Sequence, residues 1–394
     1  MKRLLTATLA VLTLLTLTAC GSAPQTDDPQ PEAQPPTVEE PAPKPAPEPT
    51  EEELAADRLD ALLGSMTLEE KVGQLFFVRV PADNAVEDVS AYHLGGYILF
   101  GRDTKDKTAN ELIQTIQSYQ DAAAIPLLIG VDEEGGTVVR VSSNSHLRSS
   151  KFQSSQKLFA SGGMEAITAD AHEKDVLLEA LGFNVNLAPV ADVSANPGDF
   201  IYDRSFGQDA AATADYVSSV TAQMTDDGMG SVLKHFPGYG NNVDTHTGIA
   251  VDDRPYERFV NEDFLPFQAG MESGGTLIAV LVSHNIVQCM DADLPASLSP
   301  AVHEILRNEL GFDGVVMTDD LAMDAVAAYA QDGAVAVMAL EAGNDLVITT
   351  DYRTQFPKVI EAVENGTLDE SVIDQACTRV LHWKSTLGLL EDVL

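Results

Sequence analysis

The residues best suited to chemistry lie in one stretch, Lys234-His235-Phe236-Pro237-Gly238-Tyr239-Gly240, and in the polar loop after it, Asn241 to His246. Asp244 and His246 stand two residues apart, so on an extended segment their side chains point the same way. An aspartate so placed accepts a hydrogen bond from one imidazole nitrogen. That bond fixes the tautomer and raises the basicity of the other nitrogen, which prepares a histidine to move a proton. Alone, an Asp-x-His pair means little, because chance supplies many. Its setting gives it weight: the apolar run Met229 to Leu233 reads as a buried strand that delivers Lys234 and His235 at its carboxyl end. Two glycines and a proline then turn the chain sharply.

Other polar residues recur in the same kind of place. Asp132 follows the run Pro126 to Val131 within Asp132-Glu133-Glu134-Gly135-Gly136, and Arg140 stands eight residues on. Their plainer reading is a surface salt bridge. Arg204 lies in Asp203-Arg204-Ser205-Phe206-Gly207. His284 ends another apolar run, either lining a pocket or resting in the core. Asp319 and Asp320 follow Gly314 to Thr318, where carboxylates often cap the next helix. Paired carboxylates also suggest a metal, but no His-rich ligand spacing accompanies them.

The elements that must position these residues alternate. Apolar runs at Gln74–Val80, Gly95–Phe100, Pro126–Val131, Val185–Val190, Met229–Leu233, Thr276–Val282, Gly314–Thr318 and Asp345–Ile348 read as eight strands. Helical segments lie between them, among them Leu112–Ala124, 164–181, 209–227, Tyr256–Glu272, Pro300–Glu309 and Met323–Ala342. Strands that are apolar throughout, separated by helices, imply a parallel sheet closed as a (β/α)8 TIM barrel. An open doubly wound sheet shares the alternation, but no G-x-G-x-x-G follows the first strand to support a dinucleotide site. In a barrel the strand carboxyl ends converge on one face. Arg102, Asp132, Lys234, His235, His284 and Asp319 all fall there.

The amino terminus reads differently. Met1-Lys2-Arg3 and the apolar run Leu4 to Ala19 have the form of a secretory signal, and Leu17-Thr18-Ala19-Cys20 looks like a bacterial lipobox. The expectation is a signal over residues 1–20, lipid modification at Cys20, and a protein anchored outside the cytoplasm on the cell membrane. Sixteen apolar residues are short for a span. Residues 21–52 hold ten of the twenty prolines and read as a disordered spacer, reaching up to ~100 Å if extended. A folded domain is then expected over residues 53–394. A net charge of −38 argues against nucleic acid as a partner. Cys289 and Cys377 follow no disulfide framework and are expected as buried free thiols.

Taken together, KHFPG with Asp244-Thr245-His246, the Asp132 to Arg140 loop, the Arg204 segment and Gly311-Phe312-Asp313-Gly314-Val315-Val316-Met317-Thr318-Asp319-Asp320-Leu321 resemble glycoside hydrolase family three, β-N-acetylglucosaminidase branch. The likeness covers residues 54–390. It differs at Tyr239, at Glu133 and in a Lys234–Asp244 stretch one residue short. The resemblance implies a retaining exo-glycosidase for terminal β-linked N-acetylglucosamine, in glycans or peptidoglycan fragments, without metal or organic cofactor. Asp319 would be the nucleophile and His246, oriented by Asp244, the acid/base. Asp132, Arg140, Arg204, Lys234 and His235 would bind the sugar. A β-glucosidase or β-xylosidase of the family, and a non-catalytic sugar-binding lipoprotein, remain alternatives.

Overall fold

The computed structural model describes residues 50–242, 250–326, 329 and 334–393. Among the described residues nine short strands follow in chain order: β1 Phe77–Arg79, β2 Gly96–Leu99, β3 Leu128–Val131, β4 Val185–Asn186, β5 Gly230–Phe236, β6 Val251–Asp252, β7 Ile278–Val282, β8 Ile286–Val287 and β9 Val315–Thr318. Seven form one curled parallel sheet in the order β1-β2-β3-β4-β5-β7-β9. Every neighbouring pair in it is parallel. Parallel neighbours require crossovers, and the interleaved helices supply them. The strands are buried almost throughout, because helices cover the outer face and side chains fill the inner one.

The helices begin where the sequence offers caps. Thr67 and Thr108 each accept from the backbone N–H three residues on, and Glu70 and Glu111 reach back to close capping boxes. Asp209 caps Ala210–Asp226, and Ser299 caps the helix opened by Pro300.

Inside the sheet, Phe77 fills space that two glycines leave open. A Cβ on Gly130 would lie 2.4 Å from the tip of the Phe77 ring, and one on Gly96 would lie 2.8 Å from the same ring. Both positions therefore exclude any side chain while Phe77 stays.

Several expected boundaries move. β5 continues through Lys234 and His235 to Phe236, with a register shift opposite Val282, so the pair lies within a strand. The helix expected over 164–181 begins at Ser155 and kinks at Gly162 and Gly163. The helix expected over Met323–Ala342 is α-helical only from Val335, after a short turn at Asp324–Val326. The eighth strand is reduced to two parallel bridges, Leu346 to Met317 of β9 and Val347 to Phe76 beside β1. The Asp345 carboxylate explains part of this reduction. It takes the backbone N–H of Val316 at 2.8 Å while receiving Arg307 at 2.6 Å and Arg379 at 3.0 Å. A side chain thus replaces a ladder bond.

A separate two-stranded ladder pairs β6 with β8 in parallel. It fastens the chain after β5 to the chain after β7. Cys289 lies just beyond it and is exposed, contrary to the expected burial, whereas Cys377 is buried as expected; both thiols are free. Among the described residues no helix is long and apolar enough to cross a membrane.

Candidate active site

Five of the eight residues singled out for catalysis or sugar binding are joined by direct contacts around the carboxyl ends of β3 to β5. Lys234, 2% exposed, places Nζ 2.6 Å from Asp132 Oδ1 and 2.7 Å from Glu134 Oε1. Arg204 grips Glu134 with two hydrogen bonds, Nε to Oε2 at 3.0 Å and Nη2 to Oε1 at 2.7 Å. Arg140 reaches Asp132 more loosely, Nη2 to Oδ2 at 3.8 Å.

The ionisation of this cluster follows from its charges. Burial would raise the carboxyl pKa of Glu134, but Arg204 and Lys234 outweigh it and hold that group well below the usual carboxylate range. Burial likewise favours a neutral Lys234, yet Asp132 and Glu134 outweigh it and raise its pKa. Arg204 is held cationic by Glu134 against the same penalty. The result is a set of fixed charges at neutral pH. Its carboxylates can accept from sugar hydroxyls, and its cations can donate to them.

Arg204 Nη2 also lies 3.2 Å from His235 Nε2. A guanidinium only donates, so Nε2 accepts and the ring proton sits on Nδ1. That nitrogen meets Asp192 Oδ2 at 2.7 Å. Asp192 is fully buried and also takes the backbone N–H of His235 at 3.0 Å and of Tyr239 at 2.7 Å.

Asp319 stands directly after β9, its backbone N–H on Val282 O at 3.0 Å and its Oδ1 receiving Asp320 N at 2.8 Å. Asp320 braces the turn after β9. It accepts from Ala322 N at 2.9 Å and from the Thr350 hydroxyl at 2.9 Å. His284 is buried, with Nδ1 2.7 Å from Ser297 Oγ and Nε2 3.1 Å from the Asp320 carbonyl. It holds the backbone beside Asp319. Arg102 bonds to Asp103 and to the Val80 carbonyl. Asp244 and His246 lie outside the described residues, as does Cys20.

Three residues were not anticipated: Glu134, Asp192 and Arg254. Arg254 contacts both oxygens of Asp263 at 3.0 and 2.9 Å, both oxygens of Asp252, and the Gly238 carbonyl at 3.0 Å. Asn242 adds a bond to Asp252 at 2.8 Å. The network thereby joins the chain before residue 243 to the chain after residue 249. It also explains Gly240, where a Cβ would lie 2.4 Å from the guanidinium carbon. Position at a strand end could have flagged Glu134 and Asp192, but their partners lie far away in sequence. Glu133, one of the departures from the family pattern, accepts the N–H groups of Arg140 and Val141 at 2.7 Å each and so shapes that loop.

A curled parallel sheet with acid, base and guanidinium groups gathered at its strand ends is the frame of an α/β enzyme whose active site lies on that face. The model for the glycosyl hydrolase family 3 N terminal domain matches residues 67–383, and the chain belongs to that family. It is 32% identical over 327 residues to the beta-hexosaminidase LpqI of Mycobacterium tuberculosis, covering 80% of this chain and 82% of that protein. A beta-hexosaminidase of Xanthomonas campestris is 33% identical over 307 residues, covering 76% and 89%. Among solved structures, a family 3 β-N-acetylglucosaminidase from Paenibacillus sp. superposes with a TM-score of 0.77 at 32% identity. That match covers 82% of this chain and 63% of the Paenibacillus chain. The structure of M. tuberculosis LpqI gives 0.73 at 28% identity, covering 83% and 96%.

Proposed function

We propose that the protein is a retaining exo-glycosidase that removes terminal β-linked N-acetylglucosamine from peptidoglycan fragments. The chain is a glycoside hydrolase of family 3, and its relatives are β-hexosaminidases. The observation that carries the reading is the Lys234, Asp132, Glu134, Arg204, His235 and Asp192 cluster at the strand carboxyl ends, in a sheet that also delivers Asp319. Such a cluster suits a ring of hydroxyls held in one orientation.

In the proposed mechanism the Asp319 carboxylate attacks the anomeric carbon. The glycosidic C–O bond breaks as His246 gives its proton to the departing oxygen. His246 then takes a proton from water, which attacks the same carbon and releases the sugar and Asp319. Asp244 would orient His246. Both stand in this scheme on their family-like sequence. A histidine in this role places no further negative charge beside Asp319. The sugar would rest on Asp132, Arg140, Arg204, Lys234 and His235.

The reading includes a complete (β/α)8 barrel over residues 53–394, supported by the bridges that Leu346 and Val347 make to the two outer strands. It also includes a lipid anchor at Cys20 outside the cytoplasm and an extended spacer over residues 21–52, both resting on sequence. Cys20→Ser should release the protein from the membrane fraction, and unchanged fractionation would reject the anchor. A panel of aryl β-glycosides tests the activity. Hydrolysis of the N-acetylglucosaminide should clearly exceed that of the glucoside and xyloside. Equal or reversed rates would instead make this a β-glucosidase or β-xylosidase, and no turnover of any would favour a sugar-binding protein.

A further inference from the structure

Arg79, the last residue of β1, is the candidate that the proposed chemistry leaves unused. Its side chain is partly buried, and its Nε is shielded from solvent with no hydrogen-bond partner. Among the described residues no carboxylate pairs with it, although the chain carries 61 acidic residues against 23 basic ones. The guanidinium instead lies over the Phe100 ring, 4.2 Å from its centroid.

Arg140 approaches the same ring at 5.7 Å. Its Nε is also buried and unpartnered, and its ion pair with Asp132 is long at 3.8 Å. Two guanidinium groups therefore share one aromatic ring beside Asp132. Each has donors to spare, and their like charges repel. Stacking on Phe100 offsets part of that. It leaves the in-plane N–H groups unsatisfied, and those are the ones that grip a carboxylate or phosphate in a fork. Arg102, close by in sequence, differs because its donors already serve Asp103 and the Val80 carbonyl.

We propose that Arg79 and Arg140 form an anion subsite next to the sugar cluster, taking a carboxylate or phosphate carried by the carbohydrate substrate. The proposal rests on the glycosidase reading and narrows its substrate class to anionic saccharides. Arg79 acts as a specificity residue. It touches the charged substituent and takes no part in bond breaking.

The test compares the full chain with Arg79→Gln and Arg79→Lys on three substrates. These are a neutral aryl N-acetyl-β-glucosaminide, the same glycoside bearing a phosphate on its 6-hydroxyl, and a β-N-acetylglucosaminyl disaccharide whose reducing sugar bears a carboxylate. Arg79→Gln should raise KM about tenfold for whichever anionic substrate the subsite takes, with kcat and KM on the neutral glycoside unchanged. Arg79→Lys should fall between, since it keeps charge but loses the fork. The two anionic arms separate phosphate on the sugar from carboxylate on the leaving group. Equal KM changes on neutral and anionic substrates, or no change on either anionic one, would overturn the subsite. Calorimetric titration with N-acetylglucosamine, N-acetylglucosamine 6-phosphate and the carboxylate-bearing disaccharide measures binding without turnover. The wild type should bind one of the anionic sugars more tightly than the neutral one, and Arg79→Gln should lose that difference. An enzyme idle on all three substrates that still shows the binding difference would refute the glycosidase reading and retain the subsite. Its absence for both anionic sugars would refute the subsite alone.

Discussion

His235 Nδ1 donates to Asp192 Oδ2 across 2.7 Å, and the same carboxylate receives the backbone N–H groups of His235 and Tyr239. One buried side chain thus fixes both the ring and the turn that follows it. Asp192→Ala should leave three buried donors without an acceptor. Each orphaned group typically costs about 1–3 kcal/mol, so urea denaturation should show a clear loss of stability. Affinity for the sugar should fall with it, read as a raised KM. A variant as stable and as active as wild type would show that the bond is idle.

Arg254 permits a second prediction, because its partners Asp252 and Asp263 are each only 2% exposed. Removing one member of a buried ion pair typically costs about 3–5 kcal/mol. Arg254→Met should lower Tm and the urea midpoint accordingly, and Arg254→Lys should recover part of the loss. If the network also holds the flanks of residues 243–249 in place, kcat should fall more than the change in KM would suggest. Unchanged stability and turnover in Arg254→Met would dismiss both effects.

The two proposed catalytic roles can be separated by leaving group. Asp319→Ala should nearly abolish turnover of every substrate, since the proposed mechanism gives the glycosyl bond to Asp319 alone. Proton donation is typically worth roughly 10²–10⁴-fold and matters most for a poor leaving group. His246→Ala should therefore lose far more activity on a disaccharide than on a nitrophenyl glycoside, and Asp244→Ala should follow the same pattern more mildly. An equal loss on both substrates, with folding intact, would remove His246 from the role.

Lys384 gives a pH prediction away from the site. It is fully buried, donates to Gln74 Oε1 at 2.6 Å, and burial pushes its pKa down to about 7, with Cys377 opposing. The unfolded chain keeps a lysine near its ordinary value of about 10.4. Between those values the unfolded state holds a proton that the folded state has released, so stability rises with pH across that window. Lys384→Met should flatten the rise. Its Tm advantage over wild type should be largest near pH 7 and shrink toward pH 10. A difference that stays constant over the range would mean that the amine does not titrate inside that window.

Much of the frame was legible in the sequence because parallel strands are short apolar runs with little else to resemble. The positions of Asp132 and Asp319 directly after strands followed at once, whereas Lys234 and His235 lie inside β5, which runs on to Phe236. The supports were not legible. Glu134 and Asp192 act through Arg204 and His235, which stand 70 and 43 residues away, and no local pattern encodes such pairing. β4 is only two residues long, and the run Asp345–Ile348 yields a carboxylate where a ladder bond would stand. In both places side-chain bonding takes over from backbone pairing, which periodicity cannot register.

The ladder between β6 and β8 also makes this protein convenient to watch. Cys289 lies two residues beyond β8, and the other described thiol, Cys377, is sealed in the core. An environment-sensitive dye would therefore attach to the described domain at one native position, beside the chain that leads out of residues 243–249. Burial raises the Cys289 pKa, so labelling calls for mildly alkaline buffer. Fluorescence from that single probe would then report changes in the chain beside the β6–β8 ladder without any engineered cysteine.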